Sequence, residues 1–197
     1  MRLFVALDIE ETIRERIASF VKEVCPLAPG VRWVASESLH VTLKFIGEWP
    51  DPMVGNVKEA LRKISSPAFQ ISFRGSGFFP TAKSARVFWV GIEAGSAVVQ
   101  LAKQVEGELV LCGIKSENRP FSPHLTLARA RSGSGAPGPQ PGDKPNRRFQ
   151  TLQAKLAAKP RLDFGTMNAN EFFLYRSQLS SRGAQYSKIE RFPLSEA

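Results

Sequence analysis

Apolar and polar positions along this chain switch between two periods, and they do so twice in the same order. Leu3, Phe4, Val5, Ala6 and Leu7 form a short apolar run, which predicts a buried strand. The chain turns acidic at Asp8, Glu10 and Glu11. Ile13, Ile17, Phe20, Val21 and Val24 then recur at three- and four-residue spacing, the stripe of an amphipathic helix. An irregular connection, 26–38, leads into Leu39-His40-Val41-Thr42-Leu43-Lys44-Phe45, whose alternation predicts a strand. Further on, an apolar run ends near Gly91, Glu93 follows, and Val98, Leu101, Ala102, Val105 and Leu109 mark a second helix. A second irregular stretch, 113–123, reaches His124-Leu125-Thr126-Leu127. At an offset of 84 residues the two His-x-Thr-x strands coincide, and Arg2-Leu3-Phe4-Val5 falls on Arg86-Val87-Phe88-Trp89.

Other segments fit around this duplication. Val54, Val57, Leu61 and Ile64 predict a helix over 51–64, with Asp51-Pro52 as its start. Phe69, Ile71 and Phe73 alternate and predict a strand over 69–79. A helix over 149–158 follows, then strands over 171–178 and 185–193 that form a hairpin around Ser181-Arg182-Gly183. The Gly/Pro-rich stretch 132–146 cannot pack a core and reads as a flexible surface loop, either a lid over a cleft or a tolerated insertion. The expected fold is α+β. One two-lobed unit spans 1–197, with mainly antiparallel sheets lining a central cleft and helices outside. Equivalent residues meet near a pseudo-two-fold axis, so His40 faces His124.

Composition narrows the classes. A chain of 197 residues with 43% apolar content can bury a core, and no apolar run approaches membrane-spanning length. The first apolar run is too short for a signal peptide, so a cytoplasmic protein with Cys25 and Cys112 as reduced thiols is expected. No CxxC pattern or zinc spacing occurs; neither metal nor cofactor is expected, and the protein is read as a monomer. The net charge of +9 favours polyanionic partners.

The chemistry concentrates in the repeated tetrapeptide. The chain has only two histidines and six threonines, and a threonine stands two residues after each histidine. Random placement would produce this roughly once in a thousand. Alternation puts His40 with Thr42 on one strand face, and His124 with Thr126 likewise; Leu39, Val41, Leu43 and Phe45 share the opposite, core-directed face. Two imidazoles and two hydroxyls suit a tetrahedral oxyanion such as phosphate. Imidazole also exchanges protons near neutral pH, so the pair can supply one acid and one base. Spacing alone does not say which histidine is which.

These motifs resemble those of the two-histidine phosphoesterase superfamily, and within it the RNA 2′,3′-cyclic phosphodiesterases of bacteria and archaea, also called 2′-5′ RNA ligases. The similarity extends to Arg2–Leu7, to Arg32-Trp33-Val34, to Arg119–Arg129, to Leu174–Ser177 and to Arg191–Leu194. It implies metal-free hydrolysis of a cyclic phosphate on an RNA end to a 2′-phosphate. By the same resemblance His40 gives a proton to the departing 3′ oxygen, and His124 activates water. Thr42, Thr126 and Arg129 hold phosphate oxygens, and Phe45 stacks on a base. The offset of five from each histidine puts Phe45 and Arg129 on the wrong strand face unless the strands bulge or end there. Small cyclic nucleotides, 2′-5′ linkages, reverse ligation and a non-catalytic RNA-binding module are the alternatives.

Overall fold

The computed structural model describes residues 1–130, 145–180 and 183–195. The stretch 132–146, except for its last two residues, and Ser181-Arg182 of the expected hairpin lie outside them. The elements run β1 (Arg2–Leu7), α1 (Glu11–Val24), β2 (Val31–Trp33), β3 (Val41–Glu48), α2 (Val54–Arg62), β4 (Phe69–Phe79), β5 (Val87–Glu93), α3 (Ala97–Leu111), β6 (His124–Ala130), α4 (Gln150–Ala157), β7 (Asp163–Ala169), β8 (Glu171–Ser180) and β9 (Gly183–Pro193). They make an α+β fold of two antiparallel sheets, ordered β3-β1-β8-β9 and β2-β6-β5-β4-β7.

The duplication is visible in the pairing. β1 lies between β3 and β8 in one sheet, and β5 lies between β6 and β4 in the other. The halves exchange strands: β4, from the first half, joins the second sheet, and β8, from the second half, joins the first. The apolar stripes predicted for α1 and α3 are buried, through Ile13, Ile17, Phe20 and Val24 and through Val98, Leu101, Val105 and Leu109. α1 packs on β7, α3 on β3, and α2 on α3 and β9. One apolar cluster joins these helices to the covered faces of both sheets.

Three expectations need correction. First, the offset of 84 holds for the motif strands but not for the strands beside them. Phe4 pairs with Phe45 and Ala6 with Thr42; Val87 pairs with Arg129 and Trp89 with Thr126. Phe4 is therefore equivalent to Val87 and Val5 to Phe88, one residue out of step with the sequence alignment. Burial agrees, since Val5 and Phe88 both enter the main core whereas Phe4 belongs to a separate aromatic cluster. Apolar residues occupy both faces of β1, so composition alone could not set the phase. Second, the connection 26–38 contains β2, whose Val31, Arg32 and Trp33 pair with Ala130, Arg129 and Ala128. Three residues are too few to show a period. Third, β7 went unforeseen. Its alternation is interrupted at Gly165, whose φ of +106° is a conformation that favours glycine.

One buried ion pair ties a motif strand to the helical layer. Lys44, 6% exposed, meets Glu106 of α3 at 2.6 Å and donates to the Lys115 carbonyl at 2.9 Å. Glu106 also accepts the Glu117 amide at 2.7 Å. Burial pulls the Glu106 carboxyl upward, but Lys44 and the Glu117 amide outweigh it and hold it below its usual range. Stability from this site is therefore present above the ordinary carboxylate pKa and is lost as pH falls through the depressed one. Removing Glu106 strands a buried ammonium. Glu106→Ala is expected to cost about 3 kcal/mol at pH 7 in urea unfolding. Lys44→Met should cost less, because the Glu106 carboxylate reaches solvent.

Candidate active site

The two motifs are built alike down to single hydrogen bonds. His40 lies immediately before β3, and its Nδ1 is 2.7 Å from the Ser38 carbonyl oxygen. His124 opens β6, and its Nδ1 is 2.8 Å from the Ser122 carbonyl oxygen. A carbonyl can only accept, so Nδ1 carries the proton in both rings. The tautomer is thereby fixed, and Nε2 is the nitrogen free to exchange a proton. β3 and β6 lie against one another although they belong to different sheets. This brings the two predicted histidine–threonine pairs together.

A β-bulge in each motif strand places the remaining two predicted residues. In the β1–β3 ladder, Val5 pairs with Lys44 and Ala6 with Thr42, so Leu43 is the extra residue. In the β5–β6 ladder, Phe88 pairs with Ala128 and Trp89 with Thr126, so Leu127 is the extra one. The bulges fall at equivalent positions. Each reverses the alternation between the threonine and the residue three later. Phe45 thus leaves the core face that strict alternation assigned to it and stands 62% exposed, its ring 6.1 Å from Phe4. Arg129 joins Thr126, with Nη2 3.4 Å from Oγ1. The bulge alternative, rather than reach from a strand end, is the one realised.

Burial governs the electrostatics here. It pushes His40 down to about 4, against the pull of the Ser38 carbonyl; Arg129 and His124 lower it further, while Asp8 opposes them. His124 is likewise depressed by burial and by Arg129, with the Ser122 carbonyl opposing. Burial also lowers Arg129, but from an ordinary value so high that it remains a cation. The free site thus holds two neutral imidazoles beside one guanidinium, an arrangement that attracts an anion. A bound anion raises both imidazole values.

Aromatic rings complete the walls. His40 packs on Phe4 at 4.8 Å and on the edge of Tyr186 at 5.1 Å, with Tyr175 6.1 Å away. His124 meets the edge of Phe79 at 4.9 Å, and Phe79 packs on Trp89. Trp89 lies over Gly77, where a Cβ would run into the indole. Sequence reasoning missed these rings as site residues. A signal did exist for two of them: the chain has only two tyrosines, and both stand beside His40. A cavity of about 220 Å³ next to His40 is lined by Asp8, Tyr175, Tyr186 and Lys188. A larger one of about 620 Å³ runs past Gly91 and Pro123, the neighbours of His124, to Arg74 and Arg161. Among the described residues, no three His, Cys, Asp or Glu side chains cluster as metal ligands. No described helix is long and apolar enough to cross a membrane.

Comparison with known proteins agrees with this duplication. A family model described as LigT like Phosphoesterase matches the chain twice, over residues 7–89 and 90–186, so that each match holds one motif. The chain is 31% identical over 192 residues to the RNA 2′,3′-cyclic phosphodiesterase of Archaeoglobus fulgidus, covering 98% of this chain and 99% of the relative. It is 29% identical over 196 residues to the RNA 2′,3′-cyclic phosphodiesterase of Escherichia coli K12, covering 99% and 97%. Among solved structures, E. coli LigT complexed with 3′-AMP superimposes with a TM-score of 0.75 at 26% identity, covering 99% of this chain and 98% of that one.

Exposure of so large an apolar ring makes a simple stability prediction. Phe45→Ala should change the unfolding free energy by less than about 1 kcal/mol, whereas Phe88→Ala, fully buried, should cost about 3 to 5 kcal/mol. Denaturant melts of the two variants check this.

Proposed function

Because the chain belongs to the LigT-like phosphoesterases, we propose that it opens 2′,3′-cyclic phosphates at RNA ends by water attack, leaving a 2′-phosphate. The observation that carries this reading is the pair of matched imidazoles, each held through Nδ1 by the carbonyl two residues earlier. Each therefore offers the same nitrogen, Nε2, to one reacting centre. The names of the relatives point to the same substrate class.

The bound phosphate sits between the two motif strands. Thr42 and Thr126 donate their hydroxyl hydrogens to non-bridging oxygens, and Arg129 adds a charge-assisted contact. His124 Nε2 takes a proton from water, and the oxygen attacks phosphorus. His40 Nε2 gives its proton to the departing 3′ oxygen, which prevents expulsion of a bare alkoxide. Proton exchange with solvent restores both rings. Phe45, exposed at the rim, stacks on the terminal base through its π face. The step draws only on protein side chains, and activity in EDTA is the expected outcome.

Charge sets the working pH. The productive form needs a protonated His40 and a neutral His124. In the free protein both imidazoles are depressed, so kcat/KM should peak on the acid side. The phosphate anion raises both values in the complex, so the kcat bell should lie at higher pH than the kcat/KM bell.

The decisive assay uses RNA ending in a 2′,3′-cyclic phosphate beside a 2′,3′-cyclic mononucleotide, with EDTA present and the product phosphate located by NMR. His40→Ala and His124→Ala are each expected to lower kcat by 10²-fold or more, an order-of-magnitude figure for general acid or base loss. Rates unchanged in either variant, or a 3′-phosphate product, would contradict the assigned roles. RNA binding that survives both substitutions without any hydrolysis by the parent protein would point instead to a binding module. Joining of a 5′-hydroxyl RNA to the cyclic end is followed in the same mixtures.

A further inference from the structure

The two histidines are equivalent in position but not in surroundings. β1 ends opposite Val41, so the next residue, Asp8, stands towards His40 as Gly91 stands opposite His124. A carboxylate occupies one of the two equivalent places and cannot occupy the other. Asp8 and His40 line the same cavity of about 220 Å³.

Asp8 is itself held from several sides. It accepts the Ile9 amide at 2.8 Å and Arg14 Nη2 at 2.7 Å, and it pairs with Lys188 at 2.5 Å. Burial pulls its carboxyl upward, but Lys188, the Ile9 amide and Arg14 prevail, and it stays ionised at neutral pH. Arg14, only 12% exposed, also donates to the Ile9 and Ser36 carbonyls. Ser36 opens the 3-10 turn Ser36–Ser38, and the Ser38 carbonyl holds Nδ1 of His40. A continuous chain of contacts thus runs from Asp8 through Arg14 and this turn to the imidazole.

We propose that Asp8 and Arg14 are positioning residues that single out His40 as the proton donor. Arg14 fixes the turn that aims the ring, and the Asp8 carboxylate favours the ring's protonated form once phosphate is bound. The charged groups around His40 decide the balance. Asp8 from the end of β1 favours the imidazolium, and Arg129 and His124 of β6 oppose it. Glu37 from the turn and Lys188 of β9 line the same cavity, and Arg14 of α1 binds the Asp8 carboxylate. Burial pushes the Tyr175 phenol up, so it carries no charge near neutral pH. Lys188 competes directly for the Asp8 carboxylate, so it sets how much of that charge reaches the ring. The inference rests on the donor role assigned to His40 above.

Two substitutions of opposite sign test it. Asp8→Asn removes the carboxylate. His40 then loses its proton at lower pH, and the alkaline limb of kcat should move down by about one pH unit. Lys188→Met frees the carboxylate, and the same limb should move up. KM for a cyclic mononucleotide should change less than about threefold in both, since neither residue is placed on the substrate. Arg14→Lys should keep more of kcat than Arg14→Met. The histidine side-chain nitrogens are followed by ¹⁵N NMR with inorganic phosphate bound: His40 should shift in opposite directions in the two variants while His124 stays within about 0.2 units of its parent value. Equal shifts in both rings, no shift in either, or movement of both variants in one direction would overturn the proposal. The NMR titration needs no turnover. An inactive parent protein would therefore sink the proposed function while still deciding whether the clamp acts on His40.

Discussion

An extra residue directly after the threonine of each motif strand governs which side chains share a face. Strict alternation would bury Phe45 and turn Arg129 away from Thr126. The bulges at Leu43 and Leu127 prevent this. They let a strand that begins by presenting an imidazole and a hydroxyl go on to present a third side chain on the same surface. The extra leucines are not wasted, since both point into the core. The device therefore combines packing on one face with three candidate site positions on the other. The two motif strands, each built this way, lie against each other.

Much of this was legible in the sequence, for identifiable reasons. Rare residue types carried the motif: two histidines and six threonines in this length leave little room for coincidence. Long amphipathic stripes such as Ile13 to Val24 and Val98 to Leu109 fixed the helices. Features that needed three dimensions were lost. A bulge has no sequence signature here, because Leu43 and Leu127 suit a regular strand as well as a bulged one. β1 carries apolar residues on both faces, which hid the one-residue slip between its alignment and that of the motif. β2 was too short to show a period, and Gly165 broke that of β7. The aromatic neighbours of His40 come from β1, β8 and β9, positions far apart along the chain. Only sheet order brings them together.

Near-symmetry raises a chemical problem that the surroundings resolve. Two identical imidazoles in one site would share the proton indifferently, and half of the singly protonated molecules would hold it on the wrong ring. The frame supplies identical tautomers through the two carbonyl contacts. The differences lie next to it: an aspartate against a glycine, two tyrosines against a phenylalanine and a tryptophan, a small acidic hollow against a larger one bearing arginines. The duplicated skeleton sets the geometry, and in the proposed mechanism the residues that broke the duplication would set the direction of proton flow.

The crossing of β4 and β8 has a consequence for the chain as a physical object. Severed between the copies, the first half would keep β1 and β3 but lose β8 and β9 from their sheet; the second would lose β4, leaving β7 no strand to join. Neither fragment could close its own hydrogen-bond ladder. The halves are interlaced like clasped fingers, each supplying the strand that completes the other. Local fraying in one sheet is therefore communicated to the other through shared covalent segments. The contact between β3 and β6 thus rests on two sheets that each draw strands from both halves of the chain.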